Sequence, residues 1–140
     1  MIVPLTGDTP EMEAAVSSLL RQDYPDYTVV FVTERAEDPA AALVARCAAD
    51  PARVLAVVAG PATTCGQKNH NILAGVRAAP TAAVFAFCDS THLAKPDFLA
   101  NLVAPIARGD AAMELFSLTS SCALSATILL RYDRIHMNYP

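Results

Sequence analysis

The sequence is poor in charged residues and has no cluster of lysine and arginine. Charged residues make up 17% of its 140 residues, against 54% hydrophobic residues, and this balance excludes a disordered tail or a collagen-like fibre. Lys and Arg number 10 against 14 Asp and Glu, which gives a net charge of -4. Because no basic patch is available to neutralise phosphates, we predict that nucleic acid is not a partner.

Cysteine is also scarce, and the cysteines at positions 47, 65, 88 and 122 are widely spaced. Zinc sites and CxxC redox centres need pairs of cysteines close in sequence, so the spacing indicates neither. We interpret these cysteines as reduced packing residues. The first residues lack the basic segment and long apolar run of a signal peptide, so we predict a cytoplasmic protein.

Short, nearly continuous apolar segments alternate with helical patterns along the first 110 residues. Thr9-Pro10 and Asp38-Pro39 each supply an N-cap followed by a proline at the first helical position, and the first helix is expected to continue to Tyr24-Pro25. Strands that are apolar throughout are typical of a parallel sheet buried on both faces. The sequence therefore predicts an α/β fold with an open, mostly parallel sheet and helices on both faces. The predicted strands are Ile2 to Leu5, Thr28 to Thr33, Val54 to Val58 and Ala82 to Cys88.

A polar segment follows each predicted strand. Sheets of this kind bind ligands beyond the carboxyl ends of their strands, so these segments are the candidate site. They are Thr6-Gly7-Asp8, residues 34–38, residues 63–68 and residues 89–92.

The acidic segment after the second strand offers carboxylates at Glu34, Glu37 and Asp38. These carboxylates could accept hydrogen bonds from a ribose or from the edge of a base. Alternatively, Asp38 only caps a helix and Glu37 only favours the helix dipole. The sequence leaves both interpretations open.

Asp89 follows a long apolar strand, a position that packing explains poorly. It could hold a divalent cation by oxygen ligation, so that the metal neutralises a diphosphate, or it could only cap a turn. Ser90 and Thr91 add polar atoms beside it. His92 either ligates the metal or faces solvent.

The third helix opens with polar residues. Lys68 lies where a lysine and free helical N–H groups together suit an anion such as phosphate, although a solvated surface lysine is the alternative. Asn69, His70 and Asn71 follow it in a helix that is otherwise apolar. This polar triplet indicates either a first turn that faces a cleft or a solvated face.

Four short motifs carry a resemblance to a known family. They are Arg21-Gln22-Asp23-Tyr24-Pro25, Glu37-Asp38-Pro39-Ala40, Lys68 with Asn71 and Gly75, and Cys88-Asp89-Ser90. Their order and spacing together resemble the N-terminal half of a family 2-like glycosyltransferase, nearest to the ceramide glucosyltransferase branch. The resemblance covers about residues 2–109.

The resemblance implies a GT-A fold, a nucleotide-sugar donor that is typically a UDP-sugar, a divalent metal such as Mg²⁺ or Mn²⁺, and inverting transfer to a lipid-like acceptor. Such an acceptor would place the protein at the cytoplasmic face of a membrane. The donor-binding residues that it implies by position are Pro4, Leu5 and Gly7 on the uridine side, Glu34, Glu37 and Asp38 at the base or ribose, Lys68 at the diphosphate, and Asn71, Asp89 and Ser90 beside them. The implied metal ligands are Asp89, Thr91 and His92.

The sequence also departs from the family pattern. Thr91 stands where many relatives have a second metal-binding aspartate, and the downstream catalytic base and (Q/R)xxRW motif have no counterpart here. No catalytic residue is identified. We therefore expect a donor-binding half domain over residues 1–110, trimmed at both ends and incomplete for catalysis alone. Residues 111–140 form an apolar tail that matches no part of the family pattern and could supply one or two edge strands or a self-association segment.

A second hypothesis is a non-catalytic α/β module derived from the same fold. It would self-associate through the apolar tail and form a homo-oligomer. A phosphoacceptor regulator domain would also place an aspartate at a strand end and a lysine nearby. The order of the motifs disfavours that third hypothesis.

Overall fold

The computed structural model describes residues 1–109, together with the backbone of two further strands. The strands are β1 (Ile2–Pro4), β2 (Val29–Thr33), β3 (Val54–Val58), β4 (Val84–Ala86), β5 (Met113–Ser120) and β6 (Ala123–Arg131). The helices are α1 (Pro10–Leu19), α2 (Pro39–Cys47), α3 (Gln67–Ala78) and α4 (Phe98–Ala107), with a short 3-10 turn at Pro51–Arg53.

The strands form a parallel sheet of β1, β2 and β3 and an antiparallel sheet of β4, β6 and β5. β2 lies between β1 and β3 in parallel register, with Val30 opposite Ile2 and Leu55. A parallel bridge between Ile2 and Phe87 connects β1 to the chain just after β4. β6 then pairs antiparallel with both β4 and β5. This arrangement confirms the α/β class and the mostly parallel sheet that the apolar strands predict.

Alternating side chains of the central strands form two cores, one on each face. Val3 and Phe31 pack in the cluster that α1, α2 and α4 cover. Ile2, Val30 and Val32 pack in the cluster on the α3 face. All of these side chains are almost completely buried, as strands covered on both faces require.

The predicted helix caps at Thr9 and Asp38 are confirmed. The Thr9 side chain accepts a hydrogen bond from the N–H of Met12, the Asp38 side chain accepts one from the N–H of Ala40, and a proline follows each cap. Fixed proline dihedrals and a side-chain acceptor both favour starting a helix at these points.

The first helix ends at Leu19, earlier than the expected stop at Tyr24-Pro25. Gln22 lies just beyond this end and is a buried side chain with 6% exposure. Its Nε2 donates to the carbonyl oxygens of Ser18 and Lys95, both at 3.0 Å, and its Oε1 accepts from the N–H of Leu99 at 2.9 Å. Gln22 therefore joins the end of α1 to the start of α4, which gives part of the motif around it a structural role.

The cysteines only partly match their expected packing role. Cys88 is buried and Cys47 is half-buried, whereas Cys65 is exposed in the loop before α3. The packing interpretation is therefore wrong for Cys65. Cys122 lies outside the described residues.

The tail contains two strands whose pairing extends the sheet. β6 lies between β4 and β5, with Leu130 opposite both Phe85 and Met113. The side chains of this segment lie outside the described part of the chain, so its role in self-association stays a prediction. No helix within the described residues is long and apolar enough to cross a bilayer.

Replacing Gly75 by alanine is expected to lower the free energy of unfolding by roughly 1–3 kcal/mol. A Cβ at this position would lie 2.7 Å from Cγ2 of Ile2 and 3.1 Å from Cγ2 of Val32. Both neighbours are buried and β-branched, so they cannot easily turn away. Urea denaturation measures the change. The matched control is Asn69→Ala, at an exposed position of the same helix, and an unchanged midpoint for Gly75→Ala would contradict the close packing of α3 on the sheet.

Candidate functional site

The parallel strands bring four polar loops to one edge of the sheet. Because β1, β2, β3 and β4 run in the same direction, the segments that follow them meet at their carboxyl ends. Backbone bonds continue the pairing of β2 and β3 into this edge, with the N–H of Ala59 donating to Thr33 and that of Gly60 to Glu34. The segments predicted to form the candidate site therefore lie together at this edge, which we call the carboxyl edge of the sheet.

Asp38 holds together the loops that follow β1 and β2. Its carboxylate accepts hydrogen bonds from the N–H of Gly7 at 2.8 Å, the hydroxyl of Thr6 at 3.1 Å and the N–H of Ala40 at 3.0 Å. Gly7 has a φ of 77°, a conformation that residues with a Cβ rarely adopt. Asp38 thus caps α2 and also fixes the loop in which Gly7 lies.

These contacts change the acidity of Asp38. Burial alone would raise its pKa, but the N–H groups of Ala40 and Gly7, the Thr6 hydroxyl and the Arg35 charge stabilise the carboxylate, and the net result is a pKa below its usual value. Asp38 is therefore ionised in neutral solution.

Lys68 and Asp89 form an ion pair across this edge. The Lys68 ammonium donates to Oδ1 of Asp89, which joins the first turn of α3 to the end of β4. The Lys68 side chain is 63% exposed and that of Asp89 27%, so solvent and ligands can reach both groups. The two residues most strongly marked for diphosphate and metal binding thus lie together.

The first turn of α3 is attached to the ends of β2 and β3 by side chains. Gln67 Nε2 donates to the carbonyl oxygen of Gly60. His70 Nε2 lies 3.0 Å from the carbonyl oxygen of Ala59. Asn71 Nδ2 donates to the carbonyl oxygen of Val32. Asn71 is buried and Asn69 is exposed. The triplet after Lys68 is therefore neither entirely solvated nor entirely turned to a cleft. Gln67 belongs to this part of the site as well, although no sequence motif indicates a role for it.

The environment of His92 differs from the solvated alternative. The residue is only 3% exposed, its ring lies 4.6 Å from the ring of Phe98, and its Nε2 has no hydrogen-bond partner. Burial lowers the pKa of His92, although the charge of Asp89 acts in the opposite direction. The expectation that His92 faces solvent is therefore wrong, whereas its role as a metal ligand stays a prediction.

The remaining predicted site residues vary in exposure. Leu5 is 2% exposed and belongs to the core, so only its backbone lies at the edge. Pro4 is half-buried in β1, Glu34 and Ser90 are half-buried, and Glu37 and Thr91 are exposed. Glu34 lies 3.9 Å from the guanidinium of Arg35. Their contacts with a donor stay predictions.

The residues near Asp89 suit a metal ion whose coordination is completed by a bound phosphate. Within the described residues, no three His, Cys, Asp or Glu side chains are grouped so that they could hold a metal ion. Mg²⁺ commonly uses one or two carboxylates and completes its coordination with water and substrate phosphates. A single accessible carboxylate at Asp89 fits that type of site and does not fit a closed protein cage.

A cleft of about 630 Å³ lies at the opposite edge of the sheet. Its described lining includes Tyr27, Thr28, Ala82 and Ala83, which precede β2 and β4. Among the described lining residues there is Asp26 but no lysine or arginine, so these residues offer no basic side chain to neutralise a diphosphate. The edge at the carboxyl ends of the strands is therefore the better candidate for a diphosphate.

A family comparison matches residues 1–138 to glycosyltransferase family 21. The match includes the tail that the sequence resemblance did not cover. The chain belongs to glycosyltransferase family 21. No curated protein matches the chain.

Solved structures show the same architecture. The mannosyltransferase PcManGT from Pyrobaculum calidifontis, solved with GDP-Man and Mn²⁺, is 27% identical with a TM-score of 0.66, over 80% of this chain and 33% of that chain. S. aureus TarS is 20% identical with a TM-score of 0.64, over 87% of this chain and 36% of its own. A 4-diphosphocytidyl-2C-methyl-D-erythritol synthase is 17% identical with a TM-score of 0.56, over 93% of this chain and 73% of its own.

The likeness to PcManGT and TarS confirms the GT-A fold. The chain spans about a third of the length of each of these two proteins.

Replacing Asp38 by alanine is expected to lower the free energy of unfolding at neutral pH by roughly 0.5–2 kcal/mol, because the mutation removes an N-cap. The pKa of Asp38 is lower in the fold than its usual 3.8, so its carboxylate stabilises the fold above that value, and the contribution is lost as the pH falls through the folded pKa. The cost of Asp38→Ala should therefore shrink in acid.

Thr9→Ala is the matched control for this experiment, since it removes the N-cap of α1 without removing a titratable group. Chemical denaturation of both variants from neutral pH down to about pH 3 measures the two costs. A cost of Asp38→Ala that stays as constant with pH as that of Thr9→Ala would contradict the assigned contacts.

Proposed function

We propose that this chain binds a nucleotide-diphosphate sugar, a UDP-sugar, at the carboxyl edge of its sheet for inverting transfer to a lipid-like acceptor. The observation that carries the proposal is the ion pair between Lys68 and Asp89. It places a cation suited to a diphosphate and a carboxylate suited to a divalent metal side by side at the edge where open α/β sheets bind ligands.

The first turn of α3 adds to the positive side of this edge. α3 has 12 residues, and no side chain caps it at Gly66. The N-terminal N–H groups and the helix dipole therefore favour an anion at the point where Lys68 projects. On donor binding, the Lys68 ammonium would transfer from Asp89 to a phosphate oxygen.

A divalent metal completes the charge balance in this proposal. Asp89 would hold it from the protein side, with Ser90 and Thr91 offering hydroxyl oxygens next to it. When bound, the metal neutralises negative charge on the diphosphate. PcManGT was solved with Mn²⁺, which supports the use of a divalent metal by a related fold.

The nucleoside would lie on the side of the edge that Asp38 organises. An ionised carboxylate has about four lone-pair sites, and the contacts of Asp38 to Thr6, Gly7 and Ala40 leave room for one more donor. A ribose hydroxyl or a base N–H would suit it. Pro4 and Gly7 border the same loop, and Glu34 and Glu37 follow β2 nearby.

The chemistry of inverting transfer needs two contributions. The leaving diphosphate must be stabilised, and a general base must accept the proton of the acceptor hydroxyl. Lys68, the amino end of α3 and Asp89 supply the first. We propose that the base comes from a further protein segment or a second chain.

The preference for UDP and for a lipid-like acceptor rests on the resemblance to the ceramide glucosyltransferase branch. Membership of family 21 is consistent with that branch. PcManGT was solved with GDP-Man, so the guanine nucleotide is the competing donor to test. A lipid acceptor would place the reaction at the cytoplasmic face of a membrane.

Calorimetric titration tests the proposal directly. We expect UDP and UDP-glucose to bind in the presence of Mn²⁺ more tightly than GDP or GDP-mannose, and we expect Mn²⁺ alone to bind weakly. Asp89→Asn, which removes the charge with little change of shape, should weaken metal-dependent binding by roughly tenfold or more.

The matched control is Asp26→Asn, the same substitution at the opposite edge of the sheet. It should leave nucleotide binding unchanged. Equal losses in the two variants, or UDP binding that is independent of Mn²⁺ and of Asp89, would overturn the proposed metal site. Tighter binding of GDP would overturn the proposed nucleoside but retain the diphosphate site.

A further inference from the structure

The side-chain amide of Gln67 spans the loop that connects β3 to α3. Its Oε1 accepts from the backbone N–H of Ala62 at 2.8 Å, and its Nε2 donates to the carbonyl oxygen of Gly60 at 2.9 Å and to Oδ1 of Asn71 at 2.7 Å. An amide nitrogen has two hydrogens, and here both are used. The side chain is therefore fixed from both sides of the loop.

Other contacts continue from Gln67 into the sheet. Asn71 is 4% exposed and donates through Nδ2 to the carbonyl oxygen of Val32 at 3.5 Å. His70, on the same turn, lies 3.0 Å from the carbonyl oxygen of Ala59. The amino end of α3 is thus fixed to the carboxyl ends of both β2 and β3.

Gln67 directly precedes Lys68, whose ammonium reaches Asp89 in the segment after β4. Where the helix begins therefore determines which part of the edge Lys68 can reach. We propose that Gln67 is a positioning residue for the donor diphosphate, an inference that rests on the proposed function. It closes the loop of residues 60–66 against α3, and so holds Lys68 and the amino end of the helix in place.

The chemistry of glutamine explains why this residue type suits the position. The site needs one acceptor for the N–H of Ala62 and two donors for the oxygens of Gly60 and Asn71. A glutamate has the same length but no hydrogen to donate when ionised. A leucine has a similar size and makes none of these bonds.

Nucleotide binding by Gln67→Leu and Gln67→Glu tests the inference, with Mg²⁺ present throughout. We expect the affinity for UDP to fall by roughly 10-fold to 100-fold, by analogy with residues that orient metal ligands through hydrogen bonds. The affinity for UMP, which lacks the second phosphate, should fall much less. Arg77→Ala, at an exposed position near the other end of α3, is the control and should behave as wild type.

A double-mutant cycle with Lys68→Met separates positioning from general destabilisation. If Gln67 acts through Lys68, Gln67→Leu should cost little further UDP affinity once Lys68 is replaced. An equal loss of affinity in both backgrounds, or an equal loss for UMP and UDP, would overturn the positioning role while the proposed function stands. Gln67→Glu keeps the test decisive if Gln67→Leu does not fold.

Amide hydrogen exchange supplies a readout that needs no nucleotide. The N–H of Ala62 should exchange slowly in the wild type and much faster in Gln67→Leu, with β1 and β2 unchanged. Equally fast exchange of Ala62 in both proteins would overturn the proposed closure of the loop. A wild type that protects Ala62 but binds no nucleotide would instead overturn the proposed function, and with it the donor role of Gln67.

Discussion

The close packing of α3 on β1 and β2 is the constraint on which the candidate site depends. The buried residues of α3 are Asn71 and Gly75, one helical turn apart. A Cβ at Gly75 would lie within 3.1 Å of side-chain carbons from both strands, so only glycine allows the helix to approach this closely. One turn further toward its start, Asn71 and Gln67 bond each other, and Lys68 follows Gln67 at the edge. The packing of α3 on the sheet and the position of Lys68 at the candidate site thus depend on the same helix.

Two aspartates that follow strands have different roles because their surroundings differ. Asp38 is surrounded by donors from backbone and hydroxyl groups, which lower its pKa and fix the loop after β1. Asp89 pairs with Lys68, whose ammonium is carried on a flexible side chain. The Asp89 side chain is 27% exposed. A carboxylate that already accepts three hydrogen bonds suits structural organisation and can accept one more. A partly exposed carboxylate paired with a flexible lysine suits a metal that arrives with the donor.

The sequence predicted the features that depend on local patterns. Uniformly apolar strands indicated the parallel sheet, and the Thr-Pro and Asp-Pro pairs located two helix starts, because these signals act within a few residues. Lys68 and Asp89 were also predicted to lie in one region, because both follow strands whose carboxyl ends meet at one edge of the sheet. The bond between them was not predictable, since it depends on how α3 packs. Gln22 shows the same limit, because its partners Lys95 and Leu99 lie over 70 positions away.

Other features depended on details that a pattern does not contain. Leu5 was grouped with the donor-binding residues, and its side chain belongs to the core, because its N–H still bonds the carbonyl oxygen of Val32 directly after β1. His92 follows polar residues and suggested solvent or metal, yet its ring packs against Phe98. The role of Gln67 could not be predicted from its position at the start of a helix, since its contacts depend on the backbone of residues 60–66.

Nuclear magnetic resonance with a paramagnetic ion tests the central claim most directly, which is that the carboxyl edge binds a metal-complexed nucleotide. Mn²⁺ added with UDP to the labelled protein should broaden the backbone signals of Asp89, Ser90 and Lys68 most strongly, with shifts at Gly7 when Mg²⁺ replaces Mn²⁺. Signals of Tyr27 and Ala82 at the opposite edge should remain sharp. Broadening centred on that opposite edge, or no change with either metal, would contradict the account.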